Sequence, residues 1–198
     1  MRSAFDKLIS GAGITLAVVL LAAGGLLTWG HYFVAHQVHD QLTMQNITMP
    51  EGDALAGLPP ADAAALQKYA GSQLDTGPEA RAYADHYILV HLNEMAAGQT
   101  YSQVSGQFIA MTDAQKASAK GQQLGQLRQN LFMGDTLRGL LLYGYAFAMI
   151  GTIIGIAAIV SFGAAAILML LVGLGFWHAR RVEDAADQRV SRHVAQPA

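Results

Sequence analysis

Residues 139–179 read GLLLYGYAFAMIGTIIGIAAIVSFGAAAILMLLVGLGFWHA, 41 positions without Asp, Glu, Lys or Arg, closed by Arg138 on one side and Arg180-Arg181 on the other. A hydrocarbon core about 30 Å thick takes about 20 helical residues to cross. As one helix the run would measure about 61 Å at 1.5 Å per residue, twice what one crossing needs. Two readings follow. In one, two helices form a hairpin that turns near Ser161-Phe162-Gly163. In the other, a single span covers residues 151–178, and residues 136–150 lie at the outer interface or enter the adjoining domain as its spine. Leu140, Leu141, Leu142, Tyr143, Tyr145 and Phe147 make residues 138–149 apolar all round, and such a helix is expected to be buried. The second reading thus predicts a membrane helix that extends beyond the bilayer.

A second uncharged run, residues 8–39, holds 32 positions between Lys7 and Asp40. Its apolar part, residues 11–34, is long enough for one crossing and exceeds the 7–15 residues, roughly, of a secretory h-region. No small-x-small cleavage site follows, and the absence of cysteine excludes lipoprotein processing. The segment reads as an uncleaved signal-anchor. Trp29 and Tyr32 stand near its outer end, where amphipathic rings favour the interface.

The charges lie outside these runs. Of 198 residues, 53% are hydrophobic and 13% charged, about half the share of a soluble domain. The remaining 125 residues carry all 26 charged side chains, about 21%, which is near the soluble norm. Residues 37–135 hold five basic and ten acidic side chains. The tails carry Arg2 and Lys7 at one end, and Arg180, Arg181, Arg189 and Arg192 at the other. Cytoplasmic flanks collect Lys and Arg. Both tails therefore read as cytoplasmic and the central segment as extracytoplasmic, which favours two spans over three. With 12 basic against 14 acidic residues there is no cationic excess to meet nucleic acid.

The central segment has helical patterning. Thr76-Gly77-Pro78-Glu79 is a capping-box start. Ala80, Tyr83, Ala84, Tyr87, Ile88, His91, Leu92 and Met95 then recur at helical spacing up to a stop at Gly98, predicting a helix over 78–97. Leu124, Leu127, Leu131 and Phe132 form a second stripe, and Pro59-Pro60-Ala61-Asp62 opens a short helix through Tyr69. Residues 43–60 read as loop and 112–123 as a flexible connection.

Candidate sites are few. His36, His39 and Asp40 share one face if the first helix continues, His86 adjoins Asp85, and His91 and Glu94 have i, i+3 spacing. These are weak candidates for a metal, which needs three or four converging N and O ligands. No His-Glu-x-x-His motif, Gly-x-Ser-x-Gly elbow, phosphate loop or dinucleotide fingerprint is present. The expectation is of no catalytic residue, no cofactor and no small-molecule ligand. Small residues are more informative. Gly151 and Gly155 form a GxxxG, Ala157, Ser161 and Ala165 continue it at about four-residue spacing, and Gly13 and Ala17 do the same in the first helix. Small residues let helices approach closely in lipid, so these positions predict a contact face, used within the chain or toward a partner subunit.

Four stretches carry a resemblance: MRSAFDKLIS (1–10), AYADHYILVHLNE (82–94), TLRGLLLYGYAF (136–147) and GFWHARR (175–181). Over nearly its whole length the chain resembles a family of small actinobacterial membrane proteins, often called aromatic ring-opening dioxygenase small subunits. The enzyme subunit of that name is similar to a soluble helical protein, whereas this chain has two membrane segments and no iron-ligand set. In general architecture it is also similar to accessory subunits of the mycobacterial respiratory supercomplex. The resemblance implies no catalytic residues here.

The sequence thus predicts an all-α membrane protein. Its parts are a cytoplasmic tail (1–10), a signal-anchor helix (11–34), an extracytoplasmic helical domain (35–135), an apolar helix (136–150), a second transmembrane helix (151–178) and a cytoplasmic tail (179–198). The expected role is non-enzymatic, an accessory or scaffolding protein of the plasma membrane whose partners are the bilayer and other membrane subunits. The rival is an extracytoplasmic binding or sensor protein using the histidines for metal.

Overall fold

A computed structural model describes residues 2–194, with the side chains of 2–4, 6, 183, 186–187 and 189–194 excepted. The cationic tail residues Arg2, Arg189 and Arg192 lie outside the described side chains. The order of elements is α1 (Arg2–Thr43), α2 (Asp53–Ala56), α3 (Pro60–Gln67), α4 (Gly77–Tyr83), a π-helical turn (Ala84–Ile88), α5 (Leu89–Met95), α6 (Tyr101–Ile109), α7 (Asp113–Ala117) and α8 (Ala119–Val194). Among the described residues the protein is all-helical, with one isolated antiparallel bridge between Thr48 and Gln73. Two helices, over Lys7–Thr43 and Ala119–Val182, are long and apolar enough to cross a membrane.

The alternative reading, a hairpin turning near Ser161–Gly163, is not met, because α8 runs unbroken through those residues. Without water, a turn would strand backbone groups that a continuous helix pairs internally. The 112–123 segment is likewise not a flexible connection. Thr112 caps α7, with its hydroxyl accepting from the Gln115 N–H, and α8 begins at Ala119. Capping boxes also start α4 at Thr76 and α6 at Thr100.

The chain forms two compact units, Met1–Tyr32 with Thr152–Ala198, and Phe33–Gly151. Both long helices contribute to both. The first unit is an antiparallel helix pair. The second is built of helical pieces around one apolar core that includes Leu42, Met49, Leu66, Leu74, Ile88, Val104, Leu131 and Leu141.

The predicted helix over 78–97 is present, but a π-turn divides it. Its buried line is Ala80, Ala84, Ile88, Leu92 and Ala96, at strict four-residue spacing. On a straight α-helix that spacing drifts by about 40° per step. The one extra residue of a π-turn takes up part of the drift. Tyr83, Tyr87 and His91 form a separate stacked line, with ring centroids 4.9 and 4.4 Å apart. Gly98, at φ +77°, ends the segment by donating its N–H to the Asn93 carbonyl.

The apolar start of the 41-residue run is not buried all round. Leu141 is buried, yet Leu140, Tyr143 and Phe147 are exposed, Tyr143 to 67%. One side of α8 meets the α1 residues Val34 and Leu42 and Gly77 of α4, while Leu140, Tyr143 and Phe147 border an open groove beside α1. A spine helix is therefore present in this unit, but it is half-dressed.

Candidate functional site

The helix pair is organised by a seam. The inward positions of α1 are Ser10, Gly13, Ala17, Leu20, Gly24, Leu27 and His31. On α8 they are Ile154, Ala158, Ser161, Ala165, Leu168, Val172, Gly175 and Ala179. Both lists alternate steps of three and four, the 3.5-residue repeat of coiled coils. The contacts run antiparallel. A Cβ built on Gly175 would stand 2.6 Å from Ser10 Oγ, and one on Gly13 2.5 Å from Val172 Cγ2. The Ser161 hydroxyl donates to the Leu20 carbonyl at 3.0 Å. Gly24 faces the Phe162 ring, and a Cβ on Gly155 would stand 2.9 Å from His31 Nδ1.

The sequence-picked contact residues thus find their opposite numbers within the chain. Gly13, Ala17, Gly155 and Ser161 lie on the face shared by the two helices of the first unit. Gly151 belongs to the second unit, where it faces Val34. The four-residue reading is corrected in one respect: the buried line passes through Ala158, and Ala157 stands beside it. His31 went unrecognised, since an isolated His near the end of an apolar run carries no spacing signal. Its cue is Gly155, the gap into which the ring fits.

The second unit carries a polar linkage at the π-turn. Asp85 lies 2.8 Å from Arg138 Nη2 and 3.7 Å from Arg81 Nε. Arg81 donates to the Tyr145 hydroxyl at 2.9 Å and lies over that ring. The Arg138–Asp85 bond joins α8 to the π-turn 53 residues earlier. Next to it, His86 Nδ1 lies 2.7 Å from Asp62 Oδ1.

The metal candidates are spread over several partners. His36, His39 and Asp40 do share a continuous helix, but His39 Nδ1 is 3.6 Å from Asp75. His86 belongs to Asp62, and His91 Nδ1 turns back to the Tyr87 carbonyl at 2.8 Å, while Glu94 follows on the exposed side of α5. No group of three His, Cys, Asp or Glu side chains that could hold a metal occurs among the described residues.

The second unit also bears a groove of about 440 Å³. One wall is α1 and the turn after it, with Phe33, Val38 and the glutamines Gln37, Gln41 and Gln45; the other is α8, with Leu137, Leu140, Tyr143 and Phe147. Gln41 Nε2 donates to Gln37 Oε1 at 3.5 Å. The half-dressed face of α8 is therefore the apolar wall of an amphipathic cleft. No protein-family model, curated protein or solved structure matches this chain.

Proposed function

We infer that this is a non-enzymatic accessory or scaffolding protein of the plasma membrane. In this reading its two long helices span the bilayer, with both tails cytoplasmic, residues 35–135 extracytoplasmic and α8 extending beyond the hydrocarbon. One observation carries the reading. The helix pair is turned inside out relative to a soluble protein: every fully buried seam position is Ser, Gly or Ala, while many large apolar side chains point outward, Ile159 being 73% and Leu170 70% exposed. Such a surface suits lipid or another membrane subunit, and water would penalise it. The resemblance to small actinobacterial membrane proteins and to accessory respiratory subunits points the same way, toward assembly within an envelope or respiratory complex. Because the seam is occupied by the chain's own helices, a partner would meet the outward faces or the second unit.

Purification of the tagged full-length protein in mild detergent tests this. A stoichiometric membrane partner is expected. Migration as a lone monomer without one rejects the scaffolding role. The cleft of the second unit favours a second reading, an extracytoplasmic binding or sensor protein. Elemental analysis after tag-free purification bears on its metal-dependent form, which requires one equivalent of bound metal.

A further inference from the structure

The groove of about 440 Å³ in the second unit has a graded lining. At the end nearest the Val34–Gly151 contact both walls are apolar, with Phe33 on α1 and Phe147 on α8. Further from that contact, α1 and the turn after it present the amides of Gln37, Gln41 and Gln45, while α8 keeps an apolar wall as far as Leu140. Its α8 wall, residues 137–147, is about 15 Å long at 1.5 Å per residue. The volume falls within the range of about 300–1,000 Å³ usual for small-ligand sites. No Asp, Glu, Lys, Arg or His side chain lines the groove. The amides are barely engaged with one another: Gln41 Nε2 lies 3.5 Å from Gln37 Oε1, long for a hydrogen bond. Each amide carries both donors and an acceptor, so the polar wall can give and take hydrogen bonds without bearing charge.

We propose that this groove binds one uncharged amphiphile, its hydrocarbon chain at the Phe33–Phe147 end and its hydroxyl or carbonyl head among Gln37, Gln41 and Gln45. The lining selects this chemistry. An ionised head would give up water with no opposite charge to meet it, whereas hydroxyl and carbonyl oxygens find matching donors and acceptors at each glutamine. The gradient along the groove sets the orientation. Its apolar end adjoins residues 34 and 151, where the proposed spans leave the hydrocarbon, so a chain can enter from the bilayer while the head stays outside it. The proposal rests on the membrane-spanning reading above and gives the binding-protein reading a ligand class.

The test is native mass spectrometry of the full-length protein with three lipids of identical acyl chains at matched concentration: a diacylglycerol, a galactosyl diacylglycerol and the anionic phosphatidylglycerol. One uncharged lipid per chain is expected to survive activation that strips phosphatidylglycerol. Stronger retention of the galactosyl lipid assigns the amides to sugar hydroxyls, and equal retention of the two uncharged lipids assigns them to glycerol and ester oxygens. Q37L/Q41L removes two exposed amides and is expected to lower retention of the uncharged lipid by about tenfold. Leu140→Trp, at an exposed position, fills the groove and is expected to abolish retention. Both variants are expected to unfold at the wild-type temperature. Retention of phosphatidylglycerol equal to that of the uncharged lipids overturns the proposal. So does wild-type retention by Q37L/Q41L or by Leu140→Trp, since the lipid then sits elsewhere. A Gln41→Cys protein that cross-links to a second polypeptide in native membranes also overturns it, because the groove is then a protein interface. Protein that resists carbonate extraction from membranes but shows no preference sinks the lipid site alone. Protein released by carbonate sinks the membrane reading with it.

Discussion

Gly155 and His31 form a matched pair, one supplying the space that the other's ring fills. A methyl at Gly155 would meet His31 Nδ1 at 2.9 Å, too close without a shift of the ring. Gly155→Ala is therefore expected to destabilise the helix pair by about 1–3 kcal/mol. In a His31→Ala background the same change is expected to be nearly neutral, a coupling readable by thermal unfolding in detergent. Gly25, with open space around its missing Cβ, is the control, where Ala is expected to be neutral or mildly stabilising. Glu79 is a different kind of residue, 8% exposed and ionic. Its carboxylate accepts from the Thr76 hydroxyl at 2.7 Å, the Ser72 hydroxyl at 2.9 Å and the Thr76 and Asp75 N–H groups at 3.0 and 3.1 Å. Burial acts to raise its pKa, but these hydrogen bonds together outweigh it and hold the group below its ordinary 4.5. A pKa lower in the folded than in the unfolded protein adds stability above the unfolded value and loses it as pH falls through the folded one. Unfolding midpoints of the wild type should therefore drop below about pH 4.5, and Glu79→Gln should flatten that acid limb while lowering stability at neutral pH by about 1–3 kcal/mol.

At the scale of elements, the π-turn is where α4, α5 and α8 are tied together. The Arg138–Asp85 pair is part-buried, with about 29% and 27% of each side chain exposed, so it should contribute more than a surface pair's 0–1 kcal/mol or so. Asp85→Ala leaves the part-buried Arg138 guanidinium without its carboxylate and is expected to destabilise by about 1–3 kcal/mol. Asp85→Ala combined with Arg138→Ala should cost less than the sum of the two single changes, which urea unfolding of the paired variants would measure. The start of this helical segment was legible in the sequence, because Thr76-Gly77-Pro78-Glu79 is a local code for a local structure. The π-turn was not, since nothing in the residues 84–88 departs from helical spacing. It arises from holding five apolar positions against one core. The same holds for residues 138–149, where composition suggested burial but could not show that only one side would find neighbours.

For the whole molecule, the absence of a turn at 161–163 has a topological consequence. In the proposed arrangement α1 and the unbroken α8 each cross the bilayer once, which puts both tails on one side. A single cysteine introduced at residue 193 is therefore expected to resist impermeant maleimide in intact cells and react after permeabilisation, whereas a cysteine at Ser118 in the second unit is expected to react from outside. Labelling of residue 193 in intact cells would reject the arrangement with both tails inside.

Local patterning along the sequence was enough to determine helical class, two lipid-length apolar elements and the segregation of charge around them, because each depends on residues near one another in the chain. It also marked the small residues of the seam. Only the tertiary structure decided which residues face them, that the repeat is 3.5 residues and not four, that His31 fills the gap at Gly155, and that the histidines disperse among Asp62, Asp75 and the Tyr87 carbonyl. The seam outcomes depend on the register of two helices more than a hundred residues apart, and the pairing of His39 and His86 on how the pieces of the second unit pack. Register is set by the sum of many close contacts along the seam, which no single stretch of sequence contains.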